Sequence, residues 1–458
     1  MDLRKSSLSC SSASCQSSLS ERSPLINDEY ERDQTNGERP KPIGTLAVVF
    51  LTVNATLGAG LLNIPYSFDD SGGILSSIIL QTIHVLLVII SLLILSSCTK
   101  ISRTDSLQSL VRYFCGRVWS GICSASIFIY SYGACITYLI VIGDQFDKIF
   151  EFYYGPSFSD HWYMRRDFLV ITVALVIILP LCVSKDISFL KFASFVGFLS
   201  TFYLAALVLI ELIRIKPKNI IVKIEPNKWT EIFKVLPILT FSYQCQTSWV
   251  PTFAEIDLAI KPRRVLIMIL SSLLICFVSY TWVAVFGLLT FGSKSIQKDM
   301  MQNYDPRDIF VMIGMVLLIV KTIVVYPILL YCGRIVLEQL FHQRISNLSS
   351  LLSSKWPIFI RYTLATIWVI SSAILAIYIP NIAVAINYLG SLANLFVFIL
   401  PGLCLFLILF MDDEYRLLRE ELGDQFFTTK TILLSVSIFF ISYGSGMFAY
   451  SFCLSLIE

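Results

Sequence analysis

Charge is scarce in this sequence. Only 15% of its 458 residues are charged, whereas 56% are hydrophobic, and the mean hydropathy is +0.74. A soluble domain cannot bury that much apolar surface, so the composition indicates a protein that crosses a membrane several times. The net charge of +3 is too small to suggest a nucleic-acid partner, and we expect none.

Metal-binding and catalytic patterns are also missing. The twelve cysteines contain no CxxC pair, histidine occurs three times, and neither residue type follows the spacing of a metal site. Most of the cysteines lie in apolar runs, where a thiol behaves as a small hydrophobe. No paired acid–base or nucleophile arrangement stands out in those runs, so we expect neither an enzyme, nor a metal, nor a cofactor.

Long hydrophobic runs are what the chain does contain. Residues 1–42 are polar and Ser-rich, which predicts a disordered cytosolic tail, and residues 43–458 form the transmembrane region. The uncharged stretch 362–411 has 50 residues, about 75 Å as one helix, so it must turn near Pro380 and Asn381. Eleven spans are therefore predicted, at 43–68, 73–98, 118–143, 168–184, 189–213, 234–255, 264–291, 309–339, two within 362–411, and 430–456.

The basic residues predict the orientation of these spans. With a cytosolic N-terminus, 22 Lys and Arg residues fall on the cytosolic side and 12 on the other, with Lys321 inside a span. This bias follows the positive-inside rule, although the basic loop at 214–234 runs against it. Eleven spans then place the C-terminus on the luminal side.

The first span is unusual because its middle is built to break a helix. Gly58 and Gly60 leave the backbone unshielded, and Asn54, Thr56 and Asn63 add polar atoms. Unpaired backbone in lipid costs several kcal/mol per group, so such a segment persists only when protein, a cavity or a ligand surrounds it. One interpretation is a broken helix that binds a substrate. The other is a face of small residues that packs against a neighbouring helix.

The sixth span has a second polar middle. Gln244 precedes Pro251 by seven residues, as Gly58 precedes Pro65 in the first span. This parallel predicts an inverted repeat of 43–215 and 230–411, with 430–456 as an added eleventh helix. Two polar helices among eleven can also arise without a repeat.

Several motifs resemble a known family. They are NATLGAGLL at 54–62, GDQ at 143–145, FSYQC at 241–245, YPIL at 326–329 and FILPGL at 398–403. In this order they resemble the sodium-coupled neutral amino acid transporters of the amino acid/auxin permease group. The resemblance implies an all-α, LeuT-like fold with eleven helices in a 5+5 inverted repeat plus one. It also implies neutral amino acid substrates and an ion site between the first and eighth helices; the members it resembles most are lysosomal and associated with glutamine and asparagine.

The substrate site is expected where the two polar spans meet. The four exposed N–H groups of residues 57–60 in the first span would hold the substrate carboxylate, and carbonyls of the sixth span around residues 241–243 would hold its ammonium. Side chains of the sixth span would set specificity. The predicted substrate-binding residues are Asn54, Thr56, Leu57, Gly58, Ala59, Gly60, Phe241, Ser242, Tyr243, Gln244 and Gln246.

Ion coupling is predicted at Asn54, Lys321 and Thr322. Lys321 is a lone charge in the middle of the eighth span, where charge is expensive and usually functional. The resemblance implies hydroxyl residues on the eighth helix just before Pro327, but Val324, Val325 and Tyr326 stand there in this chain. Lys321 would then replace a sodium ion, although it could instead snorkel or pair with a carboxylate such as Asp144 or Glu211. The coupling cation, a proton or sodium, is left open.

The tail carries a possible sorting signal. Glu21 precedes the Leu25-Ile26 pair by four residues, which resembles the acidic dileucine signal that clathrin adaptors bind; the alternative is a chance match. The sequence thus predicts a monomeric secondary active transporter of small neutral amino acids, such as glutamine or asparagine, in the lysosomal or late endosomal membrane. The alternatives are a sodium-coupled importer of the plasma membrane and an amino acid sensor that signals through the tail.

Overall fold

The computed structural model describes residues 44–155, 160–183, 188–215, 222–223, 225–226, 228–256, 260–293, 295–345, 356–379, 382–411, 414–418 and 430–457. Within these residues every regular element is a helix, which confirms the all-α prediction. The tail signal of Glu21, Leu25 and Ile26 lies outside the described residues.

The helices follow the predicted order. The first half of the chain contains α1 (Thr45–Thr56), α2 (Gly60–Asp70), α3 (Ile74–Ser102), α4 (Leu107–Tyr154), α5 (Arg166–Val173), α6 (Leu179–Val183) and α7 (Ser188–Ile215). The second half contains α8 (Leu236–Ser242), α9 (Gln246–Ala254), α10 (Pro262–Phe291), α11 (Ile309–Ile345), α12 (Trp356–Tyr378), α13 (Ile382–Asn394) and α14 (Leu400–Ile408), and α15 (Lys430–Ile457) follows. Single π-helical turns join α5 to α6 and α13 to α14.

Length and hydropathy identify a multi-pass membrane protein. In the described part of the chain, seven helices are long and apolar enough to cross a membrane, and the bent pair of α1 and α2 makes eight. The other three predicted spans correspond to 166–183, 236–254 and Trp356–Tyr378, which are helical but interrupted or shorter. The count of eleven therefore stays a prediction. The third span is longer than predicted, because α4 runs from Leu107 to Tyr154 with a kink at Gly116.

The two polar middles are breaks between helices. α1 and α2 meet at an angle of 59°, with Leu57, Gly58 and Ala59 between them. α8 ends at Ser242 and α9 begins at Gln246, so three residues separate them as well. Of the two interpretations of the first span, the structure shows the broken helix.

Close backbone approach holds the second break in place. Gly390 of α13 lies against Pro237 of α8 so closely that an added Cβ would overlap the Pro237 carbonyl. The Asn394 amide, one turn after Gly390, accepts a hydrogen bond from Thr240 Oγ1 at 3.4 Å. A residue without a side chain therefore lets α13 support the half-helix that ends at the break.

Candidate functional site

The two breaks touch at Gly60. A Cβ built on Gly60 would lie 2.2 Å from Ser242 Oγ and 3.5 Å from Phe241 Cδ1. The first residue of α2 thus packs directly on the last turn of α8. Glycine is required here because the backbone of one half-helix must approach the side chains of the other.

Two backbone donors at the start of α2 have no partner within that helix. Leu57 N donates to Val53 O at 2.9 Å, and Gly58 N donates to Thr56 O at 2.8 Å. The N–H group of Ala59, in contrast, makes no hydrogen bond with any described residue, that of Gly60 has no partner within α2 because Gly60 is its first residue, and no side chain caps α2. Of the four N–H groups that the sequence offered for a carboxylate, the structure leaves these two available, at the positive end of a helix dipole.

The facing end of α8 supplies oxygen atoms. The carbonyl of Ser242 accepts a hydrogen bond from Tyr280 Oη at 3.1 Å, and that of Phe241 accepts hydrogen bonds from Tyr243 N and, at 3.4 Å, from Gln244 N. The Ser242 hydroxyl is buried beside Gly60 and makes no hydrogen bond within the described structure. The N–H groups that open α2 therefore lie beside the carbonyls that end α8, an arrangement that suits a zwitterion.

A small cavity lies beside the first break. It has room for about one water molecule. Its walls come from the first break, α2, α4 and α11, and are formed by Gly58, Ala59, Leu62, Tyr138, Val141, Leu318, Lys321 and Thr322. An amino acid is several times larger than this space, so the surrounding helices must separate before one can enter.

Lys321 reaches the break from α11. Its side chain is 5% exposed, and Nζ donates to Leu57 O at 2.9 Å and to Thr201 Oγ1 of α7 at 2.8 Å. It forms no ion pair with a described carboxylate. Asp144 pairs with Arg166 at 2.7 Å instead, and Glu211 pairs with Arg214 at 3.2 Å. Lys321 therefore does not snorkel, and it places a buried positive charge on a carbonyl that the break has freed.

The other predicted residues lie in different surroundings. Asn54 packs its amide against Gly197 of α7, one helical turn before Thr201. Thr56 and Thr322 donate their hydroxyls to the preceding turn of their own helices, to Thr52 O at 2.7 Å and to Leu318 O at 2.9 Å. Asn54 and Thr56 thus sit at the end of α1, and Thr322 lines the cavity.

Three of the predicted side chains in the sixth span are hydrogen-bonded to other residues of the protein. Tyr243 Oη accepts a hydrogen bond from Gln81 Nε2 of α3 at 2.8 Å, so its ring points away from α2. Gln244 Nε2 donates to Thr247 Oγ1 at 3.0 Å, and Gln246 Oε1 accepts from Cys245 N at 3.1 Å. The structure brings Phe241 and Ser242 against Gly60, and it does not bring these three side chains there.

Three side chains that contact the breaks are not among the residues predicted from the sequence. Thr201 holds the Lys321 ammonium, Tyr280 holds two carbonyls, and Tyr138 Oη lies 3.6 Å from the position of a Cβ on Gly58. All three are hydroxyl-bearing residues inside apolar spans. That signal is weak, since most hydroxyls in such spans bond to their own helix.

A short loop closes over the end of α4. Asp299, between α10 and α11, is buried and accepts hydrogen bonds from Gln145 Nε2 and Met301 N, both at 2.9 Å. Gln302 in the same loop donates to Asp144 O at 2.7 Å. The pKa of Asp299 is raised to about 7, first by burial and then by the charge of Asp144, while the hydrogen bonds from Met301 N and Gln145 and the charge of Lys148 lower it.

These features define a class of protein. Two helices broken at mid-membrane, with the donors of one facing the carbonyls of the other, form the substrate site of many secondary transporters. Residues 41–451 match the family described as "Transmembrane amino acid transporter protein". The chain belongs to this family of membrane-embedded amino acid transporters, and it is not an enzyme.

Named relatives support the same assignment. The chain is 35% identical over 403 residues to "Sodium-coupled neutral amino acid transporter 7" of Danio rerio, covering 86% of this chain and 85% of that protein. It is 34% identical over 369 residues to the protein of that name from Homo sapiens, covering 79% and 78%. This agrees with the family resemblance of the sequence motifs.

Solved structures share the fold. The structure titled "Crystal structure of MhsT in complex with L-phenylalanine" matches with a TM-score of 0.56 at 13% identity, covering 91% of this chain and all of that one. A manganese transporter of Eremococcus coleocola matches with a TM-score of 0.54 at 14% identity, covering 92% and 94%. The fold is therefore LeuT-like, as the sequence predicted.

Proposed function

We propose that this chain is a secondary active transporter of small neutral amino acids. The observation that carries the proposal is the pair of N–H groups of Ala59 and Gly60, which opens α2 beside the oxygen-rich end of α8. The substrate carboxylate binds to these two donors. Its ammonium binds to carbonyls at the second break, those of Phe241 and Tyr243.

Selectivity for a neutral, small substrate follows from what surrounds this site. The apolar side chains of Leu62, Val141 and Leu318 line the adjacent cavity. The positive charge there belongs to Lys321, whose ammonium is already held by Leu57 O and Thr201. Glutamine and asparagine fit such a site because they are neutral amino acids, which is the substrate class that the names of the relatives give.

Transport proceeds by alternating access. Because the cavity has room for about one water molecule, the site is closed around the breaks in this conformation. α1, α2, α8 and α9 then rock against α4 and α11, which carry Tyr138 and Lys321 on the opposite wall. The inverted repeat of 43–215 and 230–411 supplies the symmetry that such a motion uses.

Lys321 replaces a sodium ion in this scheme. Its ammonium binds the Leu57 carbonyl at 2.9 Å, as a cation would, and it is fixed to the protein. Transport is accordingly independent of sodium and linked to protons, since a desolvated ammonium can release its proton when the site opens. The names of the relatives describe sodium coupling in those proteins, and here the covalently attached charge takes that role.

The compartment follows from the tail. Glu21, Leu25 and Ile26 form an acidic dileucine signal that a clathrin adaptor would bind, which directs the protein to the lysosomal or late endosomal membrane. The N-terminus is then cytosolic, and the C-terminus is luminal, as eleven spans require.

A panel of radiolabelled amino acids tests the function. Purified protein in proteoliposomes should take up glutamine or asparagine, and charged amino acids should not compete. An amino acid that binds, as measured by calorimetry, but is never transported would contradict the transporter and favour a sensor.

Lys321 variants test the coupling. Lys321→Met and Lys321→Thr are compared with the parent, with sodium and proton gradients imposed separately. Lys321→Met should lose uptake under every condition, and Lys321→Thr should gain a dependence on sodium because its hydroxyl leaves room for an ion. Strong sodium dependence in the unmodified protein would contradict the role of Lys321.

A further inference from the structure

Tyr280 connects both breaks through one hydroxyl group. It lies in α10, its side chain is fully buried, and its Oη is 2.8 Å from Thr56 O and 3.1 Å from Ser242 O. Thr56 is the last residue of α1, and Ser242 is the last residue of α8. One side chain from a continuous helix therefore contacts the end of each half-helix that stops at the site.

The two carbonyls attract positive charge. Each is at the C-terminal end of a half-helix, where the helix dipole places partial negative charge. Freed carbonyls at such ends bind cations in secondary transporters. With two negative ends this close together, an electropositive group must lie between them, and the hydroxyl hydrogen of Tyr280 is the group that does.

One hydroxyl carries one hydrogen, which it shares between the two acceptors. The Thr56 carbonyl also accepts Gly58 N at 2.8 Å, so it has a second donor of its own. Separating α1 from α8 breaks one of the two contacts to Tyr280. The hydroxyl therefore favours the arrangement in which the two breaks stay together around the substrate site.

Neighbouring groups fix the position of Tyr280. Its ring packs on that of Tyr243, with ring centroids 5.2 Å apart. Thr281, the next residue, donates to Gln81 Oε1 at 3.1 Å, and Gln81 in turn donates to Tyr243 Oη. α10 and α3 thus hold the hydroxyl where the carbonyls converge.

We propose that Tyr280 is a positioning residue that occupies the place of a coupling cation between the two broken helices. This inference rests on the proposed transport function and extends it. Lys321 satisfies the Leu57 carbonyl, and Tyr280 satisfies those of Thr56 and Ser242. Donors that belong to the chain therefore satisfy three carbonyls that the breaks free, so the substrate site assembles without a metal ion.

Two substitutions separate the hydroxyl from the space it fills. Tyr280→Phe removes the hydroxyl and keeps the ring. The carbonyls of Thr56 and Ser242 then lose the hydrogen bond from Tyr280, while the ring still fills the space that an ion would need. KM for the transported amino acid should rise about tenfold, the worth of one such hydrogen bond, with little change in maximal rate and no response to sodium. Tyr280→Ala opens the space, and added sodium should lower the KM of this variant again.

Thermal stability gives a readout that needs no transport. Sodium chloride, compared with choline chloride at equal ionic strength, should raise the Tm of Tyr280→Ala and leave the Tm of the parent and of Tyr280→Phe unchanged. Tyr326→Phe is the matched control, because Tyr326 is another fully buried tyrosine, and its hydroxyl bonds to Ser372 at 2.6 Å, away from the breaks. Its Tm should respond to neither salt, and its KM should equal that of the parent.

The outcomes distinguish this inference from the transport function. No uptake by the unmodified protein contradicts the function, whereas the sodium effect on Tm still decides the role of Tyr280. Uptake with an unchanged KM in Tyr280→Phe, or a sodium effect on Tm that is equal in parent and Tyr280→Ala, overturns the inference about Tyr280 alone.

Discussion

Replacing Gly60 by alanine tests whether the two breaks must touch. The added Cβ would lie 2.2 Å from Ser242 Oγ, 3.2 Å from Ser242 Cβ and 3.5 Å from Phe241 Cδ1. Rotation of the Ser242 hydroxyl relieves the first contact but not the second, so α2 must move away from α8. Overpacking of this kind costs about 1–3 kcal/mol. That cost corresponds to roughly a 5- to 150-fold loss of correctly assembled sites.

Initial uptake rates in proteoliposomes, normalised to the amount of reconstituted protein, measure this loss. Gly60→Ala should be at least about fivefold slower than the parent, and Gly60→Val slower still, because valine adds two further methyl groups. Gly446→Ala is the matched control, since no atom lies within 4 Å of its added Cβ. Uptake at the parental rate in Gly60→Ala, or an equal loss in Gly446→Ala, would contradict the claim that the two breaks must touch at Gly60.

Three further predictions concern other parts of the molecule. The folded protein holds the proton of Asp299 up to a pH of about 7, whereas the unfolded chain releases it near pH 4. Stability therefore decreases as the pH rises over this range, and the Tm of the parent should fall relative to that of Asp299→Asn, measured at matched ionic strength. Equal pH profiles would contradict this. Gly390→Ala should greatly reduce the yield of folded protein, measured by size-exclusion chromatography, since its Cβ would overlap the Pro237 carbonyl. Leu25→Ala with Ile26→Ala should move the protein to the cell surface, seen by microscopy; an unchanged compartment would exclude the sorting signal.

The breaks were predictable from local sequence. Glycines and polar residues inside an apolar run leave backbone groups that lipid cannot satisfy, and this rule applies without knowledge of the neighbouring helices. Gly58, Gly60 and Ser242 accordingly lie at or beside the breaks in the structure. The helix order was predictable for the same reason, since each span is a continuous stretch of sequence.

The contacts between helices were not predictable. Tyr280 bonds to a carbonyl 224 residues away, and Lys321 bonds to one 264 residues away. Such pairings depend on how each helix is rotated about its axis, which the composition of an apolar span does not define. For the same reason, the sequence offered four N–H groups for the substrate carboxylate, and only the structure singles out Ala59 and Gly60.

Helix ends also depend on more than hydropathy. The third span was predicted at 118–143, but α4 continues to Tyr154 at its far end. Its last turns carry Asp144 and Lys148, which bond to Arg166 and to the loop of Asp299 rather than to water alone. Charged residues that find partners in a neighbouring loop let a helix extend beyond the apolar stretch that predicts it.

Sodium-free uptake is the most direct test of the central claim, that charge and donors within the chain take the place of a coupling sodium ion. Purified protein is reconstituted into vesicles with choline in place of sodium on both sides, and uptake of labelled glutamine or asparagine is followed with and without an inward proton gradient. We expect uptake without sodium that increases with the proton gradient. Uptake that requires sodium, and is indifferent to protons, would contradict it.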